Sequence, residues 1–292
     1  MRCGPLKAHA LHRWIARGSQ LVSINAQIDV ESSPTKSWDS RRTASALFDS
    51  AVKKAKQNIA VTDPADRPSF SFGEAHALSY TELDTAVWSL TSELFSAGIR
   101  RGDIITVQMP NIIETITVFL AVQRLGAVLS PVPMLYGFKE LEAVAKSVPV
   151  KAYISTDSYR GRSTVSKNQA AFGSDVTIFA FGEKRPEAAQ LIGHMAADIE
   201  ALAACEAYVE LYAQTTEDAA SLCWSRGADG VPTVTPRSHS DWLNGTAGSE
   251  KPVEDDTALG PFPSENMAPP ENIAVIGPYF YSWLKKKNRL VL

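Results

Sequence analysis

Cysteine is scarce in this chain: Cys3, Cys205 and Cys223 stand alone in 292 residues, an odd number without metal-ligand spacing. That excludes a disulfide framework and a cysteine-type zinc site, and it points to a reducing compartment in which Cys205 and Cys223 act as small apolar residues. An excess of either charge is also lacking, since 29 Lys and Arg face 32 Asp and Glu for a net −3. No basic surface therefore draws the chain to nucleic acid or to an anionic membrane. Long apolar runs are missing as well. The most apolar stretch, Ile112 to Val132, is broken by Glu114, Gln123 and Arg124, so no transmembrane segment is expected. Neither a Gly-x-Ser-x-Gly elbow nor a Gly-x-Gly-x-x-Gly loop occurs, which leaves hydrolase and dinucleotide chemistry without support.

What remains is the composition of an ordinary globular protein, 45% hydrophobic and 21% charged, able to bury a core of one large or two ordinary domains. Residues 1–40 mix Ser, Pro, Arg and Thr without an apolar period and read as a flexible leader. Arg2, Lys7, Arg13 and Arg17 precede the first acid, Asp29. That bias suits either a frayed basic tail on a cytoplasmic protein or a mitochondrial targeting segment. Residues 41–292 read as the folded domain.

Within that domain helices and short strands alternate. Thr43 is placed to cap a helix carrying Leu47, Phe48, Ala51, Val52 and Ala55. Ser79 and Glu82 form a capping box ahead of Leu83, Val87, Leu90 and Leu94, with Gly98 as the stop. Ile104–Met109 is a strand. Asn111 and Glu114 repeat the capping pattern before a helix that ends at Gly126. Strands at 127–132, 152–155 and 176–181, helices at 139–148 and 186–204, and a buried strand from Ser221 to Trp224 follow. Such alternation argues for an α/β fold, layered and mostly parallel sheets flanked by helices. The stretch 244–272 is rich in Gly, Pro, Asp and Glu and reads as irregular.

The sharpest local signal is the loop after that last strand, 223–233, which runs Cys223-Trp224-Ser225-Arg226-Gly227-Ala228-Asp229-Gly230-Val231-Pro232-Thr233 and leads to Ser238-His239. Read without any family, Gly-Ala-Asp-Gly-Val-Pro is a turn between strands. His239 opens the next helix, where it either faces a ligand pocket or bonds to nearby backbone. His194 has no cysteine or histidine at ligand spacing, so no metal site is expected.

The same loop resembles the phosphate-binding signature of adenylate-forming ligases, T-S-G-T-T-G-x-P-K-G followed by a T/S-H pair. Leu78-Ser79-Tyr80-Thr81-Glu82-Leu83, Ala97-Gly98-Ile99-Arg100-Arg101-Gly102-Asp103, Pro110-Asn111, Leu125-Gly126-Ala127-Val128 and Pro131-Val132-Pro133 follow that family's order and spacing. The resemblance covers residues 43–243 and identifies the chain with the N-terminal part of an acyl-CoA synthetase or aryl-acid ligase. It implies a fatty or aryl carboxylic acid as substrate, with ATP, magnesium and coenzyme A as cofactors. Ser225, Arg226, Gly227, Ala228, Asp229, Gly230 and Thr233 would be the phosphate loop and His239 a pocket residue, with no catalytic residue assigned. Gly227 and Gly230 keep the approach of backbone amides to phosphate. The polar part is altered, with Arg226, Ala228, Asp229 and Thr233 where the family has serine, two threonines and lysine. An Asp carboxylate about 4 Å from a phosphate charge would oppose binding by up to about 4 kcal/mol at an effective dielectric near 20.

Residues 273–292 resemble the family's next segment and read as an interrupted end. The expectation is an apolar edge at Leu290–Leu292, with Tyr279, Phe280, Tyr281, Trp283 and Leu284 as a surface for self-association or a partner chain. Three functions remain open: a ligase homologue that does not complete the reaction alone, a non-catalytic binding or assembly module, and a product without function.

Overall fold

The computed structural model describes residues 39–183, 189–192, 199–226, 232–245, 257–258, 280–281, 283–285 and 289–292. All of them fall within the unit Trp38–Leu292. The leader 1–40 thus lies, except for Asp39 and Ser40, outside the described residues.

Capping chemistry starts the early helices where the sequence places it. Thr43 has extended backbone and accepts from the Ala46 amide, opening α1 (Ala44–Ala55). After β1 (Ile59–Thr62) and β2 (Ala77–Ser79), Ser79 and Glu82 exchange bonds: the Glu82 amide donates to Ser79 Oγ at 3.3 Å and the Ser79 amide to Glu82 Oε2 at 2.8 Å. That box opens α2 (Tyr80–Ser96). β3 (Ile104–Gln108) leads into α3 (Ile113–Leu125), which stops at Gly126 with φ 75°. β4 (Val128–Pro131), α4 (Phe138–Ser147) and β5 (Val150–Thr156) continue the alternation. A small hairpin, β6 (Ser158–Tyr159) and β7 (Arg162–Ser163), and a single turn α5 (Val165–Asn168) precede β8 (Thr177–Phe181). Here the structure corrects the expected helix over 186–204: Gln190–Leu191 is a strand, β9, and the helix, α6, runs Ile199–Leu211. Composition alone placed the helix thirteen positions too early at its start and seven too early at its end. β10 (Ala219–Arg226), β11 (Pro232–Ser238), α7 (His239–Gly245), β12 (Thr257–Ala258) and β13 (Arg289–Val291) complete the order. Of the stretch expected to be irregular, 244–272, the described residues are the end of α7 and β12.

The main sheet has the order β11-β10-β4-β3-β5-β8-β9, parallel throughout except for the β10–β11 pair. The step from β3 to β4 and the step from β4 to β5 run in opposite directions along it. Right-handed crossovers therefore put α3 and α4 on opposite faces. The packing agrees, with α1, α2, α3 and α6 in one group and α4 with α5 in the other.

α3 is the inner helix. Every residue in it except Glu114 is buried, and its ends carry charges that need partners. The expected cap, Asn111, does not open it. The first residue is Ile113, and its amide donates to Asp63 Oδ1 at 2.9 Å, fifty residues away in the chain. Arg67, 1% exposed, bridges Asp63 and Glu114 at 2.6 Å each. At the other end Arg124 bridges Asp49 at 2.6 Å and Asp84 at 3.0 Å, over the Trp88 ring.

The C-terminal expectation is overturned. β13 is not an edge but lies between β12 and β1 in a second sheet of order β12-β13-β1-β2. Leu290 pairs with Val61, and the Leu292 amide donates to Thr62 O at 3.1 Å. Phe280, Tyr281, Trp283 and Leu284 are buried. Trp283 stacks on Tyr80 at 6.2 Å between centroids, and Phe280 meets Phe119 edge-on. The physical reason is that β1, made early in the chain, leaves one side unpaired and takes the late strand. Tyr279 lies outside the described residues.

Arg67→Met should lower stability by about 3–5 kcal/mol, because the buried Asp63 carboxylate and the part-buried Glu114 carboxylate lose their cation. Lys146→Met, which breaks an exposed pair with Glu142 at 3.0 Å, should change it by less than about 0.5 kcal/mol. Urea unfolding of both variants measures the contrast; similar losses would show that the Arg67 pairs are not structural.

Candidate functional site

β10 is the strand that positions the loop. It runs parallel to β4, with Ser221 opposite Leu129, so its carboxyl end lies with those of β3, β4, β5 and β8. That is the side on which open α/β sheets receive ligands. β11 returns beside it with Ser225 opposite Thr233 and Arg226 opposite Pro232. The segment 227–231 therefore joins two paired strands at the carboxyl edge of the sheet. Of the residues expected in the phosphate loop, Ser225, Arg226 and Thr233 are thus brought together on the paired strand ends, and Thr233 is exposed. Gly227, Ala228, Asp229 and Gly230 lie outside the described residues.

The strand is held from both sides. Trp224 Nε1 donates to Ser130 Oγ on β4 at 2.9 Å, Trp242 Nε1 donates to Ser221 Oγ at 2.9 Å, and Gln123 Nε2 on α3 donates to the Ala220 carbonyl at 2.7 Å. Farther along the same edge, Gln108 at the carboxyl end of β3 is buried. Its Nε2 donates to the carbonyls of Pro133 and Tyr136, and its Oε1 accepts from Tyr153 and Asn168.

His239 is the first residue of α7 because Ser238 caps that helix. The Asp241 amide donates to Ser238 Oγ at 3.1 Å, and the Ser238 amide donates to Asp241 Oδ2 at 2.8 Å. The imidazole is fully buried. Its Nδ1 accepts from the Ala44 amide at 3.3 Å and faces the Tyr281 hydroxyl. An acceptor at Nδ1 leaves the proton on Nε2, which is buried without a hydrogen-bond partner among the described residues. So His239 does bond to backbone, but to that of a helix start 195 positions earlier. It ties α7 to α1 and to the C-terminal helical residues. Sequence reasoning missed Tyr281 as its partner; the aromatic run at 279–281 was the only available signal, and it read as exposed surface. Burial pushes the Cys205 thiol up to about 11 and the Cys223 thiol above its ordinary value, the opposite of an activated nucleophile. His9, His12 and His194 lie outside the described residues. Among those described, no cluster of three His, Cys, Asp or Glu side chains could hold a metal.

Burial holds His239 down to about 4, against a weaker opposing pull from Asp218. An unfolded histidine titrates near 6.5. Between those values the unfolded chain binds more protons, so stability rises with pH there. The contribution is present in full above pH 6.5 and is lost as pH falls toward 4, a change of about 3 kcal/mol. Denaturant midpoints from pH 7 to pH 4 should show this slope, and His239→Asn should remove that part of it. An unchanged slope in the variant would assign the effect to other groups.

Residues 48–269 match the model of the family described as AMP-binding enzyme. The chain is 32% identical over 183 residues to the 2,3-dihydroxybenzoate-AMP ligase of Bacillus subtilis, a match covering 61% of this chain and 31% of that protein. It is 30% identical over 176 residues to pseudomonine synthase PmsE of Pseudomonas entomophila, covering 56% of this chain and 26% of that one. Among solved structures it is similar to the anthranilate CoA ligase AuaEII in complex with anthranoyl-AMP, with a TM-score of 0.62 and 15% identity over 87% of this chain and 45% of the other. The complex of VinN with 3-methylaspartate gives a TM-score of 0.58 at 20% identity, over 87% and 63%. At those identities the likeness is one of fold. The chain spans less than a third of the length of these two curated relatives. No helix among the described residues is long and apolar enough to cross a membrane. A family match over most of the chain, on a parallel sheet whose β10–β11 hairpin brackets the loop, shows that the chain belongs to the AMP-binding enzymes, the family of adenylate-forming acid ligases.

Proposed function

We propose that this chain serves the activation of a carboxylic acid, in which acid and ATP give an acyl-adenylate and pyrophosphate and the acyl group passes to coenzyme A. The observation that carries this reading is the β10–β11 pair, whose strand ends at Arg226 and Pro232 lie at the ligand-receiving edge of the sheet and flank a segment with two glycines. Its residue types fit phosphates in part. Gly227 and Gly230 admit backbone amides to close range, and Ser225 and Thr233 bring hydroxyl-bearing residues to one paired position. Asp229 opposes the same charge, and the lysine that would neutralise it is Thr233. Magnesium would enter with the phosphates. On this reading the chain by itself binds ATP weakly and does not complete the reaction.

A second reading, a non-catalytic binding or assembly module that keeps the fold without the chemistry, is favoured by the packing of the C-terminal segment. Its aromatic residues are buried and its last strand is paired on both sides.

Acid-dependent exchange of labelled pyrophosphate into ATP tests the first reading directly. The purified chain should exchange at background, and Asp229→Thr combined with Thr233→Lys should tighten ATP binding at least about tenfold by calorimetry, the effect of removing an anion and adding a cation beside phosphate. Exchange well above background would make the chain a working adenylating enzyme. A double variant with no gain would place the limit outside the loop and favour the binding module.

A further inference from the structure

α6 (Ile199–Leu211) is covered on one side only. Of its thirteen residues just Cys205 is buried, with Tyr208 and Val209 partly buried against the core. Tyr208 meets the Phe95 ring of α2 at 5.2 Å, and its hydroxyl accepts from the Arg101 amide at 2.8 Å. On the opposite side run Ile199, Ala203, Ala207 and Leu211, four residues apart and therefore one above another along the helix. All four are exposed, Ile199 at 82% and Leu211 at 75%. An apolar row on a surface helix ordinarily faces the core, with polar residues outward. This one faces solvent over the whole helix, about 20 Å at 1.5 Å per residue. The exposed Tyr212 extends it past the helix end.

Charge narrows what would cover that row. α6 carries Glu200, Glu206 and Glu210 and neither Lys nor Arg. Glu206 and Glu210 stand one position before Ala207 and Leu211, so they form the adjoining row and edge the apolar one. Neither makes an ion pair or a side-chain hydrogen bond among the described residues. The two arginines that touch this region are committed elsewhere: Arg101 is held by Asp218 at 2.7 Å, and Arg100 lies over the Phe95 ring at 3.9 Å. A second copy docked helix to helix would set four glutamates against one another. An anionic membrane is repelled for the same reason. A helix with an apolar stripe edged by Lys or Arg matches both rows. Its larger apolar side chains would lie over Ala203 and Ala207, whose small size lets the axes approach closely, and its cations would meet Glu206 and Glu210. A strip about 20 Å by 10 Å is far below the roughly 800 Å² per partner of a standard interface, which makes such a contact transient.

We propose that the exposed face of α6 is a docking surface for a basic amphipathic helix of a partner protein, seated on the row Ile199–Leu211 and steered by Glu206 and Glu210. The proposal does not rest on the acid-activation reading, since no residue of this face belongs to the glycine-bearing segment or its flanking strands.

The test titrates the full chain into two labelled helical peptides, with fluorescence anisotropy as the readout. One consists of Leu and Lys with the leucines on one face, and the other has Glu in place of Lys. The Leu-Lys peptide should bind saturably, at least about tenfold more tightly than the Leu-Glu peptide, and more weakly as salt rises. Glu206→Lys combined with Glu210→Lys should invert that preference. Ala207→Gln keeps the charge and suits a helix but fills the row. It should weaken the Leu-Lys peptide at least about fivefold, with circular dichroism and thermal midpoint unchanged. Glu142→Lys on α4 removes an acid elsewhere and should leave binding as it was. No saturable binding, equal binding of the two peptides, a preference that survives the double reversal, or a loss as large in Glu142→Lys overturns the proposal. Unchanged binding in Ala207→Gln overturns the apolar row as the seat. Sedimentation velocity supplies the last arm: self-association of the native chain that Leu211→Ser abolishes would make a second copy the occupant and overturn the basic partner.

Discussion

α3 passes through the middle of the sheet-and-helix unit with every residue but Glu114 buried, so the amides of its first turn and the Arg124 guanidinium at its far end need partners from the protein. The rest of the domain is arranged around meeting those needs. Asp63 caps the helix from a loop after β1, Arg67 neutralises Asp63 and Glu114 together, and Arg124 takes one carboxylate from α1 and one from α2. The Arg67–Asp63 pair, buried on both sides, contributes little net stability over an apolar core but is costly to break singly, whereas Arg124 reaches out to carboxylates that keep part of their water. These pairs fix which elements surround α3 and in what order, as apolar packing by itself would not.

The same helix reaches the candidate site. Through Gln123 and the Ala220 carbonyl it holds the start of β10, and Trp224 and Trp242 hold the strand farther along. β10 and, paired with it, β11, the two strands that flank the glycine-bearing segment, are thereby anchored to the inner core.

His239 and Tyr281 link this core to the C-terminal segment, which Trp283 and Leu290 fasten further by stacking on Tyr80 and pairing with Val61. Two of the contacts that seal this segment are with residues of the first helices and strands, Ala44 through His239 and Thr62 through Leu292. Closure of the unit thus joins its earliest described elements to its latest, and the cost of ordering the long chain between them is met only once the core is packed.

What the sequence by itself determined is the local grammar and the family. Thr43, the Ser79–Glu82 box and the Gly98 and Gly126 stops work within a few residues of where they stand, and the alternation of helix and strand follows from periods that each segment carries in itself. Glycine spacing and the Ser238-His239 pair marked a candidate loop, whose residues 227–231 lie outside those described. Only the tertiary structure decided the partners. Gln123 and Arg124 looked like breaks in an apolar run and are buried, Asn111 was placed to cap a helix that Asp63 caps instead, and Phe280, Tyr281, Trp283 and Leu284 looked exposed and are buried. Each of these depends on a group 40 to 100 or more residues away, as with Arg124 and Asp84 or Gln123 and Ala220. Hydrogen bonds and ion pairs over such separations form only when the sheet order has brought the segments together, so nothing in the neighbouring residues records them.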